Sequence, residues 1–116
     1  MVEELKKMSI AVQQDAANDQ HYEVSADFYR LVLGPRLKYS SGLWAKADST
    51  FEESEVAMLE MYCERARLRD GMRIVDLGCG WGSLTLFLAK KYPNSSIASI
   101  SNSASQKELI ERKCKV

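Results

Sequence analysis

The segment IVDLGCGWGS, residues 74–83, carries the side chains best suited to chemistry. Asp76 closes an apolar run, and Gly78, Gly80 and Gly82 follow at alternate positions before a helical pattern begins. Glycine turns a chain sharply with positive φ, and its missing side chain lets a ligand lie against the backbone. In an open α/β sheet, ligands dock beyond the carboxyl ends of the strands, where such a loop falls. The spacing then discriminates between ligands. A dinucleotide site needs G-x-G-x-x-G with pyrophosphate on the helix N-terminus, and Ser83 stands where its third glycine would be. Asp76 would repel pyrophosphate but suits a ligand with an ammonium group. S-adenosylmethionine has that ammonium and no phosphate, so it is the expected cofactor. The competing account is a strand–helix turn without a ligand, for which three spaced glycines and an acid are a costly construction.

Nucleotide sites of this kind usually place a carboxylate at the end of the second strand, roughly 20 residues on, to accept the ribose hydroxyls. Here that region reads IASISNSASQ and holds no acid before Glu108. Asn102 and Gln106 are four apart and share a face if a helix begins near Ser103. Their amides both donate and accept, so the pair can replace the carboxylate. It equally fits an ordinary polar helix start.

Other chemistry-bearing residues read as structural. His21 is the only histidine and has no companions for a metal, so a hydrogen-bonding role is expected. Cys63, Cys79 and Cys114 are widely spaced and odd in number, which argues against both a zinc site and a disulfide framework and suggests a reducing compartment. Cys79 is expected to be a small filler rather than a nucleophile. Trp81 is expected to pack, and the glutamates after Thr50 to form a solvated face.

The elements that must position this loop follow from periodicity and punctuation. A helix is expected over residues 3–18, where Leu5, Met8, Ile10 and Val12 recur among charges. A second runs from Ala26 to Leu33, ended by Gly34-Pro35. After a loop, Thr50 and Glu53 form a capping box. The helix they open has Val56, Leu59, Tyr62, Cys63 and Ala66 on one face and its exit at Arg69-Asp70-Gly71. Arg73 to Leu77 reads as a buried strand, Gly82 to Lys91 as a helix, and Ile97 to Ile100 as a second strand. Ser103 and Gln106 repeat the capping-box spacing and open a last helix toward Lys115. Strand, helix, strand, helix at these spacings makes a right-handed unit with parallel strands, an α/β architecture.

Composition bounds the rest. A chain of 116 residues supports one domain, and 46% apolar content makes it globular rather than disordered. Zero formal net charge gives no electrostatic reason to expect nucleic acid or an anionic membrane. The first 20 residues lack an apolar core and carry Glu3, Glu4 and Asp15, unlike a signal or transit peptide, and no stretch is long enough to cross a bilayer. The cytoplasm is the expected location.

Three segments, HYEVSADFYRLVLGPRLKYSSGLW, IVDLGCGWGS and SNSASQ, together resemble the cyclopropane-fatty-acid-synthase-like methyltransferases. LEMYCERARLRDG and SNSASQKELIERKC look most like that superfamily's plant coclaurine N-methyltransferase branch. The resemblance implies the N-terminal part of a class I methyltransferase with a Rossmann-like doubly wound sheet. Residues 1–50 would be a helical cap segment, and residues 51–116 the first half of the S-adenosylmethionine-binding domain. Tyr22, Tyr39 and Ser40 would cover the cofactor, although both tyrosines also fit core positions with a polar tip. The loop from Asp76 through Gly78 and Gly80 to Gly82 would hold its methionine part, and Asn102 and Gln106 would meet the ribose. Lipid-modifying members have YSC where this chain has Tyr39-Ser40-Ser41, a departure that favours methyl transfer to the nitrogen of a small, alkaloid-like amine. The alternatives are a lipid methyltransferase or cyclopropane synthase, or a non-catalytic shortened isoform. The general base and the acceptor pocket are expected beyond Val116, leaving no catalytic residue within the chain.

Overall fold

Local capping and the left-handed residues that end helices explain most element boundaries in the computed structural model, which describes residues 2–21 and 24–114. The order is α1 (Val2–Leu5), α2 (Gln14–His21), α3 (Ala26–Val32), α4 (Phe51–Arg65), β1 (Arg73–Leu77), α5 (Ser83–Lys91), β2 (Ser96–Ile100) and α6 (Ala104–Lys113). Strands β1 and β2 pair in parallel, with Ile74 opposite Ile97 and Asp76 opposite Ser99. The α/β architecture and the β–α–β–α order are as expected.

Four details differ from the expectations. The single N-terminal helix is two short ones, α1 and α2, broken by turns and by Gln13 at φ 54°. Leu5, Met8, Ile10 and Val12 are all exposed. A helix whose apolar stripe packs on nothing gains little over the coil. The second difference is at the end of α4, which stops at Arg65 rather than at Arg69-Asp70-Gly71. Arg67 takes φ 51°, and the Arg67 and Leu68 amides donate to the Glu64 and Cys63 carbonyls, a Schellman closure without glycine. Third, β1 is not buried on both faces. Asp76 is buried and Ile74 half-buried, whereas Val75 and Leu77 are 65% and 79% exposed. Helix α5 covers only the face bearing Asp76 and Ser99, which Thr85 bridges. Fourth, Ser103 accepts from the Gln106 amide, but the Gln106 side chain does not complete the box. It accepts from Ser101 Oγ at 2.7 Å, and Ser101 in turn accepts from the Ser103 amide at 3.1 Å.

The capping box at α4 is complete. Thr50 Oγ1 accepts from the Glu53 amide at 3.2 Å, and the Glu53 carboxylate accepts from the Thr50 amide at 2.7 Å. The Thr50 amide, and then the Thr50 hydroxyl at 3.0 Å, donate to the Glu53 carboxylate and hold its carboxyl below the usual range. Helix α3 ends one residue short of Leu33, just before Gly34-Pro35. Its Tyr29 joins Leu37, Trp81 and Leu109 in the buried cluster, with the Trp81 ring centroid 5.1 Å from that of Tyr29. This cluster ties α3 and the segment after it to the glycine loop and α6. Trp81 is thus packed in the core as expected, and it also lines the cavity at the end of β1.

Candidate functional site

The carboxyl end of β1 opens into a cavity of about 590 Å³, within the range of small-molecule sites. Seven of the nine expected site residues line it: Tyr39, Ser40, Asp76, Gly78, Gly80, Asn102 and Gln106. Gly82 does not. Tyr22 lies outside the described residues, as does the side chain of His21.

The glycine loop leaves β1 with Gly78 at φ 77° and Gly80 at φ 52°. A Cβ built on either meets no atom within 4 Å, so both missing side chains face open space. Gly82 differs: its Cβ would stand 2.6 Å from Ile110 Cγ1. That glycine lets α6 approach the start of α5, and it has no place on the cavity wall. The loop is tied inward by its own backbone. The Gly78 and Cys79 amides both donate to the Ile100 carbonyl, at 2.9 and 3.0 Å, and the Gly82 amide donates to the Cys79 carbonyl at 3.0 Å.

Asp76 is buried, and one of its oxygens accepts from Thr85 Oγ1 at 2.7 Å. The Thr85 hydroxyl has a single proton, so Ser99, at 2.8 Å, must be the donor to Thr85. The carboxylate is thereby fixed in orientation while remaining on the cavity wall. Cys79 beside it is buried, and burial, with the Asp76 charge adding to it, pushes its thiol pKa up. A raised thiol is a poor nucleophile, in keeping with a filler.

Tyr39 and Ser40, also on the cavity wall, are exposed, and Tyr39 meets Tyr29 edge-on at 5.1 Å between centroids. Beyond β2, Asn102 is exposed and Gln106 is buried, both at the cavity.

Three residues on or behind the cavity wall are not among the expected site residues. Lys38 is buried on the cavity wall next to Tyr39, and Tyr62 of α4 faces the same space. Glu55, expected among solvated glutamates, is instead 1% exposed. Its carboxylate accepts from the Arg36 and Lys38 amides, both at 3.2 Å, and sits where a side chain on Gly34 would be. Glu55 therefore latches the segment carrying Lys38, Tyr39 and Ser40 onto α4. A signal was present: Glu55, Leu59 and Cys63 repeat every four residues on the buried face. Glu52, Glu53, Glu60 and Glu64 are exposed as expected.

Two parallel strands joined through α5, with a glycine-floored cavity at the strand ends, form the first part of the class I methyltransferase fold. The solved structure of coclaurine N-methyltransferase bound to N-methylheliamine and SAH matches 97% of this chain with TM-score 0.92 and 41% identity. Residues 10–116 match the mycolic acid cyclopropane synthetase family, and the chain belongs to that family. The (S)-coclaurine N-methyltransferase of Thalictrum flavum subsp. glaucum is 48% identical over 107 residues, 92% of this chain. The cyclopropane-fatty-acyl-phospholipid synthase of Escherichia coli strain K12 is 36% identical over 95 residues, 82% of this chain. These matches cover 33%, 30% and 24% of the respective relatives, so the chain spans about a third of their length or less. No helix among the described residues is long and apolar enough to cross a membrane, and no group of three His, Cys, Asp or Glu residues there could hold a metal ion.

Proposed function

We propose that the protein carrying this chain is an S-adenosylmethionine-dependent methyltransferase acting on the nitrogen of a small amine. The observation that carries this reading is the cavity floor. Gly78 and Gly80 leave open space beside a fixed, buried carboxylate, as a ligand with an ammonium group and no phosphate requires. The cofactor supplies an activated methyl group on a sulfonium. What remains for this chain is to bind, orient and exclude water. Asp76 faces the ammonium, the Gly78–Gly80 backbone supports the methionine part, and Asn102 and Gln106 accept and donate to the ribose hydroxyls. Tyr22, Tyr39 and Ser40 cover the cofactor from the N-terminal side. The nitrogen preference rests on Ser41 in place of the cysteine of the lipid-modifying members, and on the identity to coclaurine N-methyltransferase. A location in the cytoplasm goes with this reading.

The test is calorimetry with S-adenosylmethionine on the full-length protein, followed by methyl transfer to a benzylisoquinoline secondary amine, phosphatidylethanolamine and an unsaturated phospholipid. Cofactor binding with methylation of the amine alone is the expected result. Methylene insertion into the phospholipid would instead establish the cyclopropane synthase reading, and binding without any transfer a non-catalytic role.

Gln106 provides a sharper check of the ribose assignment. Gln106→Ala should weaken S-adenosylmethionine binding by about 1–3 kcal/mol, the range for one or two hydrogen bonds lost from a buried site. Because Gln106 Oε1 also accepts from Ser101, Gln106→Glu serves as a companion that keeps this acceptor while removing the amide's donors. An unchanged dissociation constant in both variants puts the ribose elsewhere.

A further inference from the structure

Lys38 is only 4% exposed, yet it belongs to no ion pair among the described residues. Its Nζ donates to Ser40 Oγ at 2.6 Å, to the Ser41 carbonyl at 2.9 Å and to Tyr62 OH at 3.3 Å. An ammonium has three protons, so these partners use its full donor capacity. Those bonds, with the Tyr62 ring centroid 5.1 Å from Nζ, satisfy the donors, but no carboxylate of the described residues pairs with the charge at ion-pair distance, a setting that favours an anion joining it.

Two of the three partners show where that anion would sit. A hydroxyl that accepts from an ammonium keeps its own proton to donate. Neither Ser40 nor Tyr62 donates to another group among the described residues, and both line the cavity. The same cavity holds the Asp76 carboxylate. One space thus carries a cation with two hydroxyl donors on one wall and an anion on another. That is the complement of a zwitterionic α-amino acid group.

We propose that Lys38 is a positioning residue for the carboxylate of the cofactor's amino acid end, orienting the Ser40 and Tyr62 hydroxyls as donors and supplying the neutralising charge. The proposal rests on the cofactor reading above and adds the group that distinguishes an intact amino acid from a plain amine. Glu55 supports it by latching the Lys38 amide to α4, which fixes where the side chain begins.

The experiment compares S-adenosylmethionine with decarboxylated S-adenosylmethionine, which lacks only the carboxylate, by calorimetry on the full-length protein. The wild type should prefer the intact cofactor by about tenfold or more, the scale of one charge-assisted hydrogen bond. Lys38→Met should lose about that factor for the intact cofactor and change little for the decarboxylated one, so the preference collapses. Tyr62→Phe, which keeps the charge and removes one donor, should reduce the preference partway. Equal weakening of both ligands in Lys38→Met would assign a merely structural role and overturn the proposal. So would a wild type that binds both ligands equally. If Lys38→Met does not fold, Tyr62→Phe and Ser40→Ala decide by the same ratio. A wild type that binds neither ligand sinks the cofactor reading itself, an outcome distinct from loss of the ratio alone.

Discussion

Gly78→Val should abolish S-adenosylmethionine binding in the full-length protein while leaving it folded. Two effects act at this position, and the structure separates them. The backbone at φ 77° disfavours a β-branched side chain by roughly 1–2 kcal/mol. The added Cβ meets no atom within 4 Å beyond the chain neighbours, so the side chain starts into open space rather than into the fold. Instead the isopropyl group fills the space that a ligand's methionine part would take. Gly71→Val is the matched control. Gly71 has φ 83°, its Cβ would also meet nothing within 4 Å, and it is away from the cavity. Both variants should lose similar thermal stability, but only Gly78→Val should lose the calorimetric binding signal. Wild-type affinity in Gly78→Val would show that the cavity floor is not the cofactor site.

Expressed as an isolated 116-residue polypeptide, the chain should lack a cooperative thermal transition and methyl-transfer activity. The reason is the sheet. Val75, Leu77 and Ile100 lie on the face away from α5 and are 65%, 79% and 52% exposed. Full burial of an exposed Val, Leu or Ile side chain stabilises by about 1.5–3 kcal/mol, so these three, between half and four-fifths exposed, forfeit roughly 3–6 kcal/mol. That is a large share of the whole net stability of a typical domain, about 5–15 kcal/mol. Parallel sheets normally have both faces covered, and an apolar strand pair left open invites association. Circular dichroism melts with a hydrophobic dye as second probe will decide. A sharp two-state melt accompanied by turnover would contradict the expectation.

What could be read in the sequence divides according to whether the cause is local. The complete cap at Thr50 and Glu53, the stop at Gly34-Pro35 and the loop from Asp76 to Gly80 depend on neighbours within a few residues, and these were legible. The latch at Glu55 was harder. Its carboxylate is stabilised by the amides of Arg36 and Lys38, 19 and 17 residues away, and nothing local distinguishes it from Glu52 and Glu53 except its register with Leu59. Lys38 was illegible for a similar reason: a lysine is expected in solvent until Tyr62 and Ser41 are seen around it. Gly82 shows the opposite failure. It continues the spacing of Gly78 and Gly80, yet its reason is the nearness of Ile110 rather than the cavity. The N-terminal stripe from Leu5 to Val12 has helical spacing but no surface to pack on, so periodicity alone overstated it. For β1, an apolar composition indicated burial that the helices here provide on one face only.

The inward-tied loop also bears on what competes for this cavity in a cell. Phosphate-binding loops work by turning successive backbone N–H groups toward the ligand. Here the Gly78 and Cys79 amides are engaged by the Ile100 carbonyl, and the Gly82 amide by the Cys79 carbonyl. Adenosine alone is therefore no passport. ATP, ADP and NAD share that moiety with S-adenosylmethionine, but their phosphates would meet, in Gly78 and Cys79, two amides already engaged by Ile100, and the Asp76 carboxylate. Insulated in this way from the adenylate pool, the cavity would respond chiefly to unphosphorylated adenosines. On the proposed cofactor reading, occupancy of the cavity would follow methylation demand rather than energy charge.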